Sequence, residues 1–342
     1  MILGLTCISE YLKDKDKKKY SFRTMTRKRF NDLCVFESKD EALRQLSERI
    51  LHNVRNTRYI IRHCSTSNIL HYRLSSSLFP LLTDQTLGLS LDDLVDIKKI
   101  KEELRLAGDI ASQFKISMGS HPDQFNVLAS NNKEAVNRTI NELNFQAKVL
   151  DMIGLPQDHT APMNIHINYT PQADQTLEIV ATKFFRNLSM CDKGVYNRLT
   201  IENEDKGFFN VDNCIKLSEY LFAAFGANIP VCYDNLHDFC NPSEERNLIF
   251  QAERCAYTWI NQGAGDNNFI APVFHWSEGR PDKPRAHADY FALGNQPPHI
   301  AIDPDQPAKW ECEVKAKDKA IFLLLENNKI LTNANNYEMI EA

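Results

Sequence analysis

The stretch RLTIENE, Arg198–Glu204, begins as an apolar β-strand and turns acidic at Glu202. A carboxylate that closes a buried strand must be paired or bound to a metal, because an isolated charge is costly to bury. The same pattern recurs in four further segments: KISMGSHPDQ (Lys115–Gln124), MNIHINY (Met163–Tyr169), PVCYDNLHD (Pro230–Asp238) and PVFHWSE (Pro272–Glu278). Strands of this kind are typical of a parallel sheet that delivers polar side chains to one edge.

Eight β-like runs occur in all: Ile2–Cys7, His71–Ser76, Lys115–Gly119, Met163–Asn168, Arg198–Glu202, Ile229–Asp234, Ala271–Trp276 and His299–Asp303. Helical patterns fill most of the gaps: Glu41–His63, Leu91–Phe114 with Ser90 as N-cap, Asn132–Ile153, Gln175–Met190, Val211–Phe225, Glu244–Ile260 and Glu313–Glu326, with the short candidate HADYFAL (His287–Leu293) before the last strand. Strands that alternate with helices predict βαβ units and a parallel sheet.

Eight such units in 342 residues predict an α/β fold: a single (β/α)8 TIM barrel spanning residues 1–342, with its site at the C-terminal face of the strands. The alternative is an open doubly wound sheet with a second domain. No linker rich in glycine, proline or serine marks a boundary for that arrangement, and GxGxxG is missing after the first run.

Composition favours a soluble, non-exported protein. Hydrophobic residues make up 43% and charged residues 25% of the chain, and no apolar run approaches 18 residues. Nine cysteines without a CxxC pair indicate reduced thiols. We therefore expect a cytoplasmic protein without a membrane partner, nucleoid-associated in a prokaryote or nuclear in a eukaryote.

The net charge of −5 carries no global signal for nucleic acid. Basic residues are concentrated locally in KDKDKKK (Lys13–Lys19) and RTMTRKR (Arg23–Arg29), which form a Lys/Arg-rich insertion at residues 13–29, and in KAKDK (Lys315–Lys319). Each segment is either a solvated face or a set of phosphate contacts, and the sequence leaves both interpretations open.

The side chains at the strand ends predict a multinuclear metal site. Its candidate ligands are: His121, His166, Glu202, Asp234, His237, His275, His287 and Glu313. Each is weak evidence alone, since an inward histidine such as His166 is more often a hydrogen-bonded core residue. Imidazole with carboxylate favours Mn²⁺, Zn²⁺ or Fe²⁺. Several cations held together suit phosphodiester hydrolysis, with a metal-dependent sugar isomerase as the alternative.

The order of the motifs resembles the UV damage endonucleases, TIM-barrel repair nucleases related to endonuclease IV. The resemblance covers about residues 45–325 and is carried by the following segments: YRLSSSLFPL (Tyr72–Leu81), SHPDQF, NIHIN, IENE, DNLHD, HWSEGR, HADYF and the E-x-K-x-K motif of Glu313, Lys315 and Lys317. It implies an Mn²⁺-dependent nick immediately 5′ to a cyclobutane dimer or 6-4 product, leaving 3′-hydroxyl and 5′-phosphate ends. An abasic-site endonuclease of the endonuclease IV type is the nearest alternative.

The resemblance also implies roles for individual residues. One metal would be held by His121, His166 and Glu202. Glu202 would bridge to a second metal held by Asp234, His275 and Glu313, with His237 and His287 serving a third. Glu202, Asp234 and Glu313 are the expected catalytic carboxylates. Contacts to DNA and lesion are expected from Gln124, Phe125, Arg73, Ser9, Lys315 and Lys317.

We expect two or three divalent ions, Mn²⁺ before Zn²⁺ or Mg²⁺. The expected partner is damaged double-stranded DNA, bound by a monomer without a nucleotide cofactor. Three positions depart from the family pattern. Val273 stands where the family commonly has a metal-contacting carboxylated lysine, Leu5 and Ser9 replace a tyrosine and an asparagine, and Phe125 replaces a tyrosine. The valine predicts that the third metal is the weakest.

Overall fold

The computed structural model describes residues 2–123, 125–260 and 268–327, and within these ranges eight parallel strands surround a central axis. The strands, together with a two-stranded antiparallel ribbon formed by β8 and β9, are: β1 Ile2–Thr6, β2 His71–Leu74, β3 Ser117–Ser120, β4 Met163–His166, β5 Leu199–Glu202, β6 Val231–Cys232, β7 Val273–Trp276, β8 Gly279–Arg280, β9 Lys283–His287 and β10 Lys309–Cys312. The order is β6-β5-β4-β3-β2-β1-β10-β7.

The barrel closes between β6 and β7. A single parallel bridge joins Asp234 to His275, and the His275 amide donates to the Tyr233 carbonyl at 2.8 Å. The prediction of a (β/α)8 barrel is confirmed. Because the carboxyl ends of all eight strands point the same way, the polar side chains that follow them share one face.

Helices pack around the strands and bury an apolar layer against them. The described helices are: α1 Glu10–Lys15, α2 Lys17–Tyr20, α3 Arg27–Phe36, α4 Lys39–Thr66, α5 Ile97–Gln113, α6 Lys133–Ile153, α7 Leu177–Leu188, α8 Lys193–Tyr196, α9 Val211–Phe225, α10 Asn235–Cys240, α11 Leu248–Ala256 and α12 at residues 318–327, with 3₁₀ turns at Ser76–Leu78 and Leu91–Asp93. None of these described helices is long and apolar enough to cross a membrane.

The long helices α6 and α9 begin at residues that cap their first amides, and α6 ends at a glycine. Asn132 caps α6 by accepting from the amides of Glu134 and Ala135, and Asn210 caps α9 in the same way through Asn213. Gly154 ends α6 at φ 93°, in the left-handed region that favours glycine. Such signals explain why the predicted bounds of these two helices agree closely with the structure.

The predicted eighth strand, His299–Asp303, is wrong: the structure places the last barrel strand at Lys309–Cys312. The reason is that β10 reverses the usual pattern. Glu311 faces the interior, where it contacts other strands, while Trp310 packs outward against Phe274. From its sequence pattern, a strand whose charged residues face the barrel interior cannot be told from a segment at the protein surface.

Three smaller expectations also need correction. The segment HADYFAL is not helical, and the β8–β9 ribbon occupies the start of this connection. The last helix begins at residue 318, so Glu313 lies between β10 and that helix and does not open it. The helix predicted from Leu91 is divided, with Ser90 capping the 3₁₀ turn and α5 starting at Ile97.

Candidate metal centre

Glu202, at the end of β5, lies at the middle of a cluster of imidazoles. Its Oε2 is 3.0 Å from His121 Nε2 and 3.8 Å from His166 Nε2. Its Oε1 is 3.1 Å from Nδ1 of both His237 and His275. The carboxylate is 1% exposed. Residues from β3, β4, β5, β7 and α10 therefore meet at one point, as the strand-end pattern predicts.

Two polar side chains inside the barrel also orient the Glu202 carboxylate. Asn164 on β4 donates its Nδ2 to Glu202 Oε2 at 2.5 Å, and the hydroxyl of Thr200 donates to the Asn164 side-chain oxygen at 3.0 Å. Both side chains are buried. These bonds restrict the rotation of the carboxylate and so fix the directions of its two oxygens.

Asp234 and His237 form a compact unit because Asp234 is the N-cap of α10. Its Oδ1 accepts from the His237 amide at 2.8 Å, which places the histidine one turn away on the same side of the helix. The D-x-x-H spacing thus has a structural cause. The second oxygen, Asp234 Oδ2, is buried and has no hydrogen-bond partner among the described residues.

Glu313 completes a second group with Asp234 and His275. His275 Nδ1 lies 3.6 Å from Asp234 Oδ2 and 3.8 Å from Glu313 Oε1. The guanidinium of Arg73 pairs with Glu313, and it also donates to Glu311 at 2.9 Å. Arg73 is buried. Its structural role is therefore to neutralise carboxylates inside the barrel.

In the part of the chain that the structure describes, four sets of three side chains could each hold a cation, because their ligand atoms lie within 4.8 Å of one another. The sets are His121, His166 and Glu202; Glu202, Cys232 and His275; Glu202, Asp234 and His237; and Asp234, His275 and Glu313. The donors are mainly imidazole nitrogen and carboxylate oxygen, the chemistry of Mn²⁺ and Zn²⁺ sites. A cation would also satisfy the unpaired oxygen of Asp234.

The charges of the cluster shift the pKa values of its members in opposite directions. Burial lowers the pKa of His166 to about 4, so this imidazole is neutral. Burial opposes protonation of His237, but Asp234 and Glu202 raise its pKa to about 10. Despite burial, the imidazoles led by His275 hold the pKa of Glu202 well below its usual range. Glu202 is therefore an anion at neutral pH.

A cavity of about 510 Å³ opens beside the cluster. Among its lining residues are His166 and His237, together with Phe125, whose surface is 76% exposed. Burial raises the pKa of Glu204, also in the lining, to about 7, although the Asn168 amide donates to it at 2.6 Å. Gln124, the other residue expected to probe DNA, lies outside the described residues.

The remaining expected site residues lie farther from Glu202. His287 on β9 contacts the Glu313 carbonyl through Nδ1, and its Nε2 is 3.9 Å from Glu313 Oε2. Lys315 pairs with Asp289 at 3.3 Å, and Lys317 donates to the Thr6 hydroxyl at 2.9 Å. Ser9 is buried as the N-cap of α1, and its hydroxyl contacts Asp318.

Glu204, Cys232 and Glu311 are titratable residues of this region that were not predicted as part of the site. Glu204 lies two residues after Glu202 in the same motif, so its position was available from the sequence. Cys232 was counted only among the reduced thiols, and burial raises the pKa of its thiol to about 12. Glu311 was not a candidate because the last strand was predicted at His299–Asp303, which gave no sign of its inward direction on β10.

Comparison with known proteins assigns the chain to a family. A family model described as UV-endonuclease UvdE matches residues 1–340. The chain belongs to this family. A UV DNA damage endonuclease of Nostoc sp. (strain PCC 7120) is 31% identical over 266 residues, which cover 76% of this chain and 73% of the relative. One of Bacillus cereus (strain B4264) is 27% identical over 312 residues, 89% of this chain and 88% of the relative.

Solved structures support the fold of this UvdE-family chain. The crystal structure of SacUVDE superposes with a TM-score of 0.73 at 24% identity, over 98% of this chain and 99% of that one. Endonuclease IV from Thermus thermophilus gives 0.52 at 12% identity, over 82% of this chain and 95% of that one. The resemblance proposed from the motifs is thereby confirmed at the level of family and fold.

Proposed function

We propose that this UvdE-family endonuclease incises duplex DNA immediately 5′ to cyclobutane dimers and 6-4 products, leaving 3′-hydroxyl and 5′-phosphate ends. The observation that carries the proposal is the convergence of four imidazoles on Glu202 at the C-terminal face of the barrel. Membership of the family makes the enzyme a DNA repair endonuclease. The proposal adds the bond that is cut and the lesions that are accepted.

Divalent cations, Mn²⁺ before Zn²⁺ or Mg²⁺, are the cofactor that the donor set fits. We assign one position to His121, His166 and Glu202, and a second to Asp234, His275 and Glu313 with Glu202 as the bridge. His237 and His287 would serve a third, which is the weakest because Val273 cannot act as a ligand. When bound, such ions supply an acidified water and neutralise charge on the phosphodiester.

The residues of the chain supply fixed carboxylates for the cations and a surface that can hold the substrate. Glu202 and Glu313 remain anionic and fixed in position, with Asn164 restricting the rotation of Glu202 and Arg73 that of Glu313. The cavity beside them admits part of a nucleotide, and exposed Phe125 offers a ring on which a base can stack. A lesion already weakens base stacking, so opening the duplex there costs less than in intact DNA.

The Lys/Arg-rich segment supports double-stranded DNA as the partner. Lys18, Lys19 and Arg23 line a depression of about 360 Å³ together with Arg55 on α4. Asn53 bonds both the amide and the carbonyl of Arg23 and also the carbonyl of Ser77, in the loop after β2. The depression therefore adjoins the end of the barrel that carries the candidate metal centre, where a duplex would pass.

The test is the nicking of supercoiled plasmid with and without UV irradiation, in Mn²⁺ or in EDTA. We expect nicking of irradiated plasmid in Mn²⁺ only, and its loss in Glu202→Gln, since an amide cannot supply a second anionic oxygen. Oligonucleotide duplexes with a dimer, a 6-4 product or an abasic site then locate the cut. Equal nicking of irradiated and intact plasmid would contradict the proposal, and preference for the abasic duplex would favour an endonuclease IV-type activity.

A further inference from the structure

Glu311 on β10 is a buried carboxylate that the proposed ligand sets do not use. It is 3% exposed, and three cations or proton donors surround it. Its Oε1 lies 2.9 Å from His71 Nε2, and its Oε2 lies 2.9 Å from Arg73 Nη1 and 3.2 Å from His275 Nε2. A carboxylate placed so deeply carries a large desolvation cost, which these contacts must offset.

The contacts follow from the register of neighbouring strands. His71 on β2 and Glu311 on β10 are both aligned with Gly4 on the strand between them. A Cβ at Gly4 would lie 3.0 Å from His71 Cδ2. The missing side chain is therefore what allows the imidazole and the carboxylate to meet across β1.

The same row continues on both sides. Ser117 on β3 is aligned with His71, and its Oγ lies 2.8 Å from His71 Nδ1. On the other side, Glu311 is aligned with His275 on β7. A continuous polar row thus runs from Ser117 through His71 and Glu311 to His275, and it ends at the candidate metal centre.

The row decides which nitrogen of His275 keeps its proton when a cation binds. Ionised Glu311 can only accept, so the nitrogen that faces it, Nε2, must be the donor. On the other side Nδ1 donates to Glu202 Oε1 at 3.1 Å and lies 3.6 Å from Asp234 Oδ2, so without a cation both nitrogens of His275 carry a proton. The Nε2 proton stays directed at Glu311, and a cation that displaces the other proton meets the lone pair of Nδ1. That is the nitrogen and the direction that a cation between these carboxylates requires.

We propose that Glu311 is a positioning residue for the metal centre. It holds His275 in the tautomer that presents Nδ1 to the cations, while His71, Gly4 and Ser117 hold Glu311 in place. The inference rests on the metal centre of the proposed function and adds a residue that contacts one of its ligands, His275, without binding the cation. Carboxylates that accept from a metal-binding histidine typically change metal affinity 10- to 100-fold when replaced.

Mn²⁺ titration calorimetry of the whole protein tests this role. We expect Glu311→Gln, which has one acceptor oxygen and no charge, to weaken one Mn²⁺ site at least about tenfold. The matched control is Asp318→Asn, since Asp318 is also buried and lies 3.1 Å from a histidine nitrogen, that of His63. It should lower the melting temperature and leave Mn²⁺ affinity unchanged.

Two results would overturn the role of Glu311. If the Mn²⁺ isotherm of Glu311→Gln equals that of the wild type, Glu311 has no positioning role, and the metal centre itself is not called into question. Absence of Mn²⁺ binding by the wild-type protein overturns both the metal centre and the positioning role, and the plasmid assay then tests the proposed function separately.

A second measurement needs no variant of Glu311. In ¹⁵N-histidine-labelled wild-type protein loaded with diamagnetic Zn²⁺, NMR should find His275 protonated at Nε2 and unprotonated at Nδ1, with the signal assigned through loss in His275→Asn. Ligation through Nε2, with the proton on Nδ1, would contradict the proposal even if Glu311→Gln fails to fold.

Discussion

Phe125 is 76% exposed and lines a cavity that reaches His166 and His237, so its ring is accessible for stacking with a base. Phe125→Ala should weaken binding to damaged duplex by roughly 1–3 kcal/mol, the usual loss of base–aromatic stacking. Binding to intact duplex should change much less, because phosphate contacts dominate it. Fluorescence anisotropy on the two duplexes measures both affinities.

The matched control for Phe125 is Phe222→Ala, an exposed phenylalanine of α9 outside the cavity lining. It should leave both affinities unchanged. If Phe125→Ala instead lowers the melting temperature and both affinities together, the ring has a packing role and does not contact the lesion.

His159 gives a prediction for stability against pH. The ring is 4% exposed, lies 3.2 Å from the Leu199 carbonyl, and burial lowers its pKa from 6.5 to about 4. Because the folded pKa lies below the unfolded one, the stabilisation is complete above pH 6.5 and is lost as the pH falls towards 4. At pH 5 the loss is about 2 kcal/mol.

His159→Gln can still donate to the Leu199 carbonyl but does not titrate in this range. Urea unfolding in EDTA at pH 7.5 and pH 5 should therefore show a smaller drop in unfolding free energy for the variant, by about 2 kcal/mol. The histidines near Glu202 contribute equally to both proteins and cancel. An identical drop in the two proteins would show that His159 is not the group responsible.

The sequence was a better guide to which residues belong to the site than to which residues contact one another. His121 and His275 were recognised because each ends an apolar run, and the structure brings both to Glu202. The contact between His71 and Glu311 could not be predicted, because it depends on the register of three strands and on a glycine between them. Register is a long-range property that no local pattern contains.

At the scale of elements, β10 shows where hydrophobic patterning fails. The first seven predicted runs overlap the first seven barrel strands, and most of these runs are apolar before a polar end. In β10 the interior positions are Lys309 and Glu311, and burial lowers the pKa of Lys309 to about 8. An interior built from charges cannot be told from a solvent-facing segment by alternation alone.

The basic depression on the Lys/Arg-rich segment gives the next prediction. Lys18→Gln combined with Arg23→Gln should lower affinity equally for damaged and intact duplex. Each lost phosphate contact reduces the slope of log K against log salt by about 0.9. Lys216→Gln, on the exposed side of α9, is the control that should leave the slope unchanged. A slope unaltered in the double variant would identify the segment as a solvated face.

The whole barrel links metal binding to folding. The candidate ligands lie on or just after β3, β4, β5, β6, β7 and β10, and on α10 and β9, so they converge only when the barrel is closed. The closing bridge itself joins two of them, Asp234 and His275. An unfolded chain holds no such arrangement, and cations that bind only the closed barrel must stabilise it.

Mn²⁺ should therefore raise the melting temperature, and EDTA should reverse the rise. At a free concentration 100 times the dissociation constant, one site adds about 2.7 kcal/mol to the unfolding free energy. Differential scanning calorimetry across a range of Mn²⁺ concentrations measures the effect. Glu202→Gln should lose most of it, because Glu202 belongs to three of the four candidate ligand sets, whereas Phe125→Ala should keep all of it. An equal rise in wild type and Glu202→Gln would place Mn²⁺ binding elsewhere and remove Glu202 from the centre of the site.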